Sequence, residues 1–312
     1  MNKCLYCYNT LLDDEIDFHT KCSKKMFGSD TPPLLEYTSE QMYQLASEII
    51  RSQVTVTGVQ PKLSLTIGKG ETGSRKLTLV GLWGNYILKP PTEHYKQLPE
   101  VEDLTMHLAE LTGIETVPHC LMRLQSGELS YITKRIDRAK KAAVHMEDMC
   151  QLTDRQTEHK YRGSYEQIAK AIGKYSAQPG LDIVNFYEIV VFSFLTGNAD
   201  MHLKNFSLIQ RMANTFVLAP AYDLVATALV NPGDTEELAL TLNAKKTKIK
   251  RSDFEVAFTT AGLTPKQQEN IFKKMSRAKS SWLDFIDKSF IGSDMKIQFI
   301  ELIELRSERL GI

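Results

Sequence analysis

The chain has 312 residues, 42% of them hydrophobic and 24% charged, and 38 Lys+Arg are balanced by 38 Asp+Glu. That length buries a substantial core and suits about two lobes, while the charge balance excludes an overall basic field aimed at nucleic acid or an anionic membrane. No apolar run stands out as approaching the roughly 20 residues of a membrane span, and Met1-Asn2-Lys3-Cys4 does not open a secretory signal; a cytoplasmic protein with no direct contact to membrane or nucleic acid is expected.

The first 22 residues carry Cys4-x2-Cys7 and His19-x2-Cys22, three thiolates and an imidazole at spacings that suit one closed tetrahedral zinc site. A segment this small has almost no core, so a structural zinc would supply its folding energy; an unmetallated arm is the other reading. Ser29-Asp30-Thr31-Pro32-Pro33 reads as a linker, because paired prolines resist both helix and sheet. Domain boundaries are therefore expected at 1–30 for a zinc knuckle, 31–136 for a β-rich lobe and 137–312 for a helical lobe.

Thr38 with Gln41 forms a capping-box start for a helix to about Arg51, with Met42, Leu45, Ile49 and Ile50 on one face. From Val54 to Ile136 strands dominate, at 62–67, 77–80, 86–89, 120–124 and 129–133, interrupted by a helix from about Glu100 to Leu111. Beyond Arg138 helical spacing takes over at 165–172, 185–195, 253–261, 265–277, 281–290 and 295–310, broken by one hairpin, 206–209 with 215–218. Thr264-Pro265 with Gln267 is a strong helix start.

The chemistry concentrates in Asp200-Met201-His202-Leu203-Lys204-Asn205-Phe206-Ser207, followed 18 residues after Asn205 by Asp223 in Tyr222-Asp223-Leu224. Asp200 and Asn205 stand five apart, the spacing of a catalytic base and a magnesium-binding Asn in a phosphoryl-transfer loop. Asp223, after a strand and Pro220, can return beside that loop as a second magnesium ligand, or can simply cap its own turn. Lys89 ends an apolar strand and can either reach solvent or hold phosphate with Glu102 of the next helix as partner. Thr55-Val56-Thr57-Gly58-Val59-Gln60-Pro61-Lys62 lacks a Walker pattern, yet a glycine before a strand lets backbone N–H groups approach phosphate. Phosphate on Thr55 or Thr57 would place negative charge where those phosphates sit; both threonines are also ordinary strand residues.

Six ordered stretches, Gly58–Lys62, Tyr131–Arg138, Glu147–Gln151, Lys160-Tyr161, Asp200–Ser207 and Ala219–Asp223, resemble the HipA family of bacterial Ser/Thr kinase toxins, with the likeness running from about Thr55 to the C-terminus. The resemblance implies an α+β, two-lobed kinase-like fold. It implies ATP bound by Thr57, Gly58, Val59, Gln60, Lys62, Lys89, Lys134, Arg135, Ile136, His202, Lys204, Asn205, Tyr222 and Asp223, with Lys134–Ile136 as the adenine hinge. Asp200 would be the base, Asn205 and Asp223 the Mg2+ ligands, and Thr55 or Thr57 an autophosphorylation site. Serine is more familiar at that switch, and some relatives carry Glu where Lys134 stands.

Longer relatives begin with a further subdomain docked on the small lobe. In its place this chain offers the knuckle, so a separate docking subunit or a helix-turn-helix antitoxin is the expected partner. The expected substrate is a protein hydroxyl, plausibly on an aminoacyl-tRNA synthetase; a small-molecule phosphotransferase and a catalytically silent nucleotide-binding adaptor are the alternatives.

Overall fold

A computed structural model of the protein describes residues 2–52, 62–69, 74–80, 83–139 and 142–312. Its contacts gather the chain into two units, one of residues 1–103, 117–136 and 288–290, the other of 104–116, 137–287 and 291–312.

The first unit opens with the cysteine-bearing loop and helix α1 (Thr20–Phe27), stopped by Gly28 in the left-handed conformation. Helix α2 (Ser39–Ser52) starts at a reciprocal capping box, in which Thr38 N–H donates to Gln41 Oε1 (2.9 Å) and Gln41 N–H to Thr38 Oγ1 (3.3 Å). Among the described residues, strands β1 (Leu63–Lys69), β2 (Arg75–Leu79), β3 (Tyr86–Lys89), β4 (His119–Arg123) and β5 (Leu129–Lys134) form one antiparallel sheet in the order β2-β1-β3-β5-β4. Helix α3 (Leu98–Thr112) interrupts them in sequence, and only Leu98–Asp103 belongs to this unit. Leu63, Leu65, Leu77 and Leu88 are buried, as period-2 strands require of one sheet face.

Both sheet edges are covered within this unit. Leu34, just past the paired prolines, exchanges backbone bonds with Arg75 and Leu77 (2.9 Å each) beside β2. At the other edge Leu121 N–H of β4 donates to Leu5 O (3.0 Å), and Arg123 grips the Asp17 carboxylate with two nitrogens. These bonds engage part of each edge, where exposed donors would otherwise be open to foreign strands.

The second unit begins with the short hairpin β6 (Arg138–Ala139) and β7 (Ala142–Ala143), then β8 (Met146–Asp148). Helices α4 (Met149–Leu152), α5 (Tyr165–Tyr175) and α6 (Pro179–Thr196) follow. Strands β9 (Ser207–Met212) and β10 (Thr215–Leu218) lead to α7 (Thr227–Val230), α8 (Arg251–Thr260), α9 (Pro265–Asp287) and α10 (Ser293–Leu310). The expected hairpin gains a third strand, because β8 pairs with β9.

Two expectations change here. Helices read separately at 265–277 and 281–290 are one continuous α9, since Ala278-Lys279-Ser280-Ser281 contains no Gly or Pro and Ala278 and Trp282 share its buried face. Helix α6, contrary to the absence of a span-like run, is long and apolar enough to cross a membrane by length and composition; 67% of it is buried inside the structure. Its Phe186, Tyr187, Phe192 and Phe194 are fully buried, and Phe192 meets Trp282 edge to face at 5.6 Å.

Candidate active site

In the second unit, α6 delivers the chain to the Asp200 loop through Gly197 at φ 75°. The left-handed backbone favours glycine, and a Cβ there would lie 2.6 Å from Leu302 Cδ2 and 3.0 Å from Ala228 Cβ, so the Leu302 side chain would have to shift. Buried Asn198 then accepts from Asp200 N–H (3.1 Å), and Thr227 Oγ1 accepts from Ala199 N–H (2.8 Å) while donating to Gly197 O (3.1 Å). The loop is thus held by Thr227 of α7 just before Asp200.

Asp200 and Asn205 are brought together: Asn205 Nδ2 donates to the Asp200 carbonyl at 2.9 Å, and His202 N–H donates to the same oxygen at 2.8 Å. With its nitrogen turned inward, Asn205 presents its carbonyl oxygen, the atom a hard cation takes, the opposite way. Tyr222 ties the Asp223 segment to this loop, its hydroxyl donating to Lys204 O (3.0 Å) and sharing a 2.6 Å bond with Ser207 Oγ. Asp223 follows at φ 61°, a left-handed conformation that short polar residues tolerate. Lys204 pairs with Asp148 at 2.6 Å, so β8 supplies a carboxylate that its three residues did not announce.

Tyr161 joins this loop without any role that its own stretch of sequence announces. Its hydroxyl donates to Asp200 Oδ1 at 2.5 Å, and its ring stands edge-on to His202 at 5.0 Å. Burial first, then the Asp200 charge, hold this phenol protonated well above its ordinary value. No local signal could have found the contact, which spans 39 positions; the neighbouring Lys160-Tyr161 motif was the only hint.

Burial pushes the His202 imidazole down to about 4, against the opposing pull of Asp200 and Asp223, and its Nδ1 finds no partner among the described residues. His202 is therefore neutral at neutral pH. An unfolded imidazole titrates near 6.5, so between about 6.5 and 4 the unfolded chain takes up a proton that the folded one refuses. This contribution is fully present above that window and is lost as pH falls through it, by as much as about 3 kcal/mol. Glu100 runs the other way: burial lifts its carboxyl to about 7, with Asp103 adding to the rise, so its contribution is present at low pH and fades between about 4.5 and 7. Chemical denaturation of His202→Asn and Glu100→Gln across pH 4–7.5 is expected to remove the two opposed slopes separately.

In the first unit, Lys89 at the end of β3 and Glu102 of α3 form a buried ion pair, with Tyr131 5.5 Å beneath the ammonium. Their relative exposures are 4% and 1%. The next carboxylate, Asp103, is wholly buried; it accepts from Tyr8 OH at 2.7 Å and lies 2.6 Å from His119 Nδ1. Burial, then Asp103, raise the Tyr8 phenol well above its ordinary value.

At the expected hinge, Lys134 N–H donates to Pro118 O and Arg135 N–H to Asn85 O (2.8 Å each), and Ile136 ends the 117–136 stretch of the first unit. Lys62 is exposed immediately before β1. Thr55, Thr57, Gly58, Val59 and Gln60 lie outside the described residues.

Near the N-terminus one ligand atom each from Cys4, Cys7, His19 and Cys22 falls within 4.8 Å of the others. His19 turns Nδ1 toward Cys7 Sγ (3.4 Å) and Cys22 Sγ (3.7 Å), while Nε2 lies 3.0 Å from Thr10 O. A carbonyl at Nε2 fixes the tautomer that leaves Nδ1 as a metal-ligating lone pair. Three sulfurs and one nitrogen at such separations fit a tetrahedral soft-metal site.

A family model described as "HipA-like C-terminal domain" matches residues 54–282. A putative kinase of Sinorhizobium fredii, Y4dM, is 32% identical over 246 residues, covering 75% of this chain and 58% of the relative. A putative kinase of Haemophilus influenzae is 30% identical over 187 residues, covering 56% and 53%. The chain spans about half the length of the curated relatives it matches. Among solved structures, the fold is similar to that of HipA from the Shewanella oneidensis HipA, HipB and operator DNA complex, with a TM-score of 0.68 at 18% identity over 88% of this chain and 71% of that one. It is also similar to the Helicobacter pylori proinflammatory kinase CtkA, with a TM-score of 0.55 at 15% identity over 79% and 93%.

Proposed function

Because this chain belongs to the HipA-like C-terminal domain family, we propose that it is a serine/threonine protein kinase that takes its phosphoryl group from ATP. The observation that carries the reading is the Asp200–Asn205 loop, in which a carboxylate and an amide are fixed to each other through one backbone oxygen at the end of a buried helix. Asp200 orients a protein hydroxyl and accepts its proton. Asn205 and Asp223 hold Mg2+, which supplies charge neutralisation at the β- and γ-phosphates. Lys89, kept in place by Glu102, binds phosphate, and Thr57–Lys62 is the phosphate-loop sequence.

His202, Lys204 and Tyr222 bind the nucleotide, and Lys134–Ile136 serve as the adenine hinge. Thr55 or Thr57 is the autophosphorylation site. Cys4, Cys7, His19 and Cys22 bind one structural zinc. The substrate is a protein such as an aminoacyl-tRNA synthetase, and the partner is an antitoxin of the HipB kind, supported by the HipB bound in the Shewanella complex. Positioning and preorganised charge, rather than covalent chemistry, supply the rate.

The deciding experiment incubates the purified, zinc-replete chain with magnesium and labelled ATP in a host lysate and follows the label. Label on protein bands, with phosphoserine or phosphothreonine recovered after hydrolysis, is expected. Label appearing only in soluble metabolites would turn the reading to a small-molecule phosphotransferase, and nucleotide binding without transfer would turn it to a silent adaptor.

A further inference from the structure

We propose that Tyr8 and Asp103 are positioning residues for Lys89, and that the metal held by Cys4, Cys7, His19 and Cys22 sets their geometry; the role of Lys89 itself rests on the kinase reading above. The first turn and a half of α3 carries consecutive carboxylates with different partners. Glu102 takes Lys89 of β3, and Asp103 takes His119 of β4 together with Tyr8 of the cysteine loop. Tyr8, Glu102, Asp103 and His119 are all at most 1% exposed. A displacement of Asp103 therefore moves the Glu102 carboxylate with it, because adjacent helical residues share one rigid backbone.

Tyr8 is built into the metal loop. It follows Cys7 directly, stands at φ 62°, and its N–H donates to Cys4 O at 2.9 Å. An aromatic residue in the left-handed region persists only where its surroundings over-determine it. Four ligands on one ion provide such a constraint from one side, and the Tyr8 ring packed edge-on against Phe290 at 4.8 Å provides it from the other. Lys3, bonded to the carbonyls of Lys288 and Ser289 at 2.8 and 2.9 Å, pins the same loop. Without the ion, nothing covalent or coordinate joins Cys4 and Cys7 to His19 and Cys22, and the turn that aims the Tyr8 hydroxyl loses its cross-link. The knuckle is thus a device through which metal supply governs the phosphate-binding lysine.

The test uses the full chain carrying zinc, with zinc content measured for every sample, and reads amide hydrogen exchange of Leu98–Asp103 beside calorimetric affinity for MgATP. Chelation of the wild type, and Tyr8→Phe with zinc retained, are each expected to speed exchange at Leu98–Asp103 by about ten- to a hundredfold, the size set by losing a hydrogen bond to a buried charge, and to weaken MgATP. Exchange at Leu98–Asp103 that stays at the wild-type rate in both, with changes confined to residues 2–27, overturns the proposal. Should Tyr8→Phe shed its zinc or fail to fold, Asp103→Asn, remote in sequence from the ligands, decides: faster exchange at 98–103 with zinc still bound supports the link, and unchanged exchange refutes it. Wild-type protein that binds no MgATP while its exchange still responds to chelation strikes the kinase reading and leaves the mechanical link standing.

Discussion

Asp200→Asn is expected to lower phosphate transfer by about 10²–10⁴-fold, the contribution of a positioned general base, while leaving the fold and nucleotide affinity almost unchanged. The geometry makes this a clean removal. The bonds from His202 N–H and Asn205 Nδ2 go to the Asp200 backbone carbonyl, which the substitution keeps, and an Asn Oδ1 still accepts from Tyr161. Asn205→Ala is the informative companion, since it removes the proposed magnesium ligand and one anchor of the Asp200 backbone together. Its loss should be partly recovered by raising magnesium, whereas that of Asp200→Asn should not. Single-turnover rates at two magnesium concentrations, with melting temperatures in parallel, separate the two; an Asp200→Asn variant that turns over at the wild-type rate would eliminate the assignment of the base.

Much of this arrangement was readable because its signals are local. The capping boxes at Thr38/Gln41 and Thr264/Gln267 fix helix starts within four residues of sequence, and the paired cysteine and histidine spacings bring four ligands together through two short turns. The Asp200–Asn205 loop was legible for the same reason, its five-residue reach being closed by its own backbone. What stayed hidden arrives from a distance. Tyr161 meets Asp200 across 39 positions, Tyr8 meets Asp103 across 95, and β8 becomes a strand only because β9 lies beside it. Nothing in three residues of sequence carries a hydrogen-bonding partner that lies some sixty positions away, and propensity yields to such tertiary pairing. The split of α9 into two helices failed for a related reason: the serines at 280 and 281 resemble a start signal, but the buried face formed by Ala278, Trp282 and Phe285 runs straight through them.

The Lys89–Glu102 pair predicts a dissociation of stability from activity. Lys89→Ala should cost about 3–5 kcal/mol of folding stability, far more than loss of a surface lysine, because it takes the Lys89 charge away from the Glu102 carboxylate in a site where both groups are almost wholly buried. Replacing both partners with apolar residues of similar length, Lys89→Met with Glu102→Leu, removes the uncompensated charge along with the pair. The double variant should therefore recover most of that stability, since burying two charges carries a desolvation cost that apolar packing does not. Activity should not follow. If Lys89 serves the phosphates, the double variant remains as inactive as Lys89→Ala while melting near the wild type, so that its urea midpoint recovers and its transfer rate, measured on the same samples, does not. A double variant that is stable and still transfers phosphate would show that the pair is structural alone, and would move the phosphate-binding role to another cation.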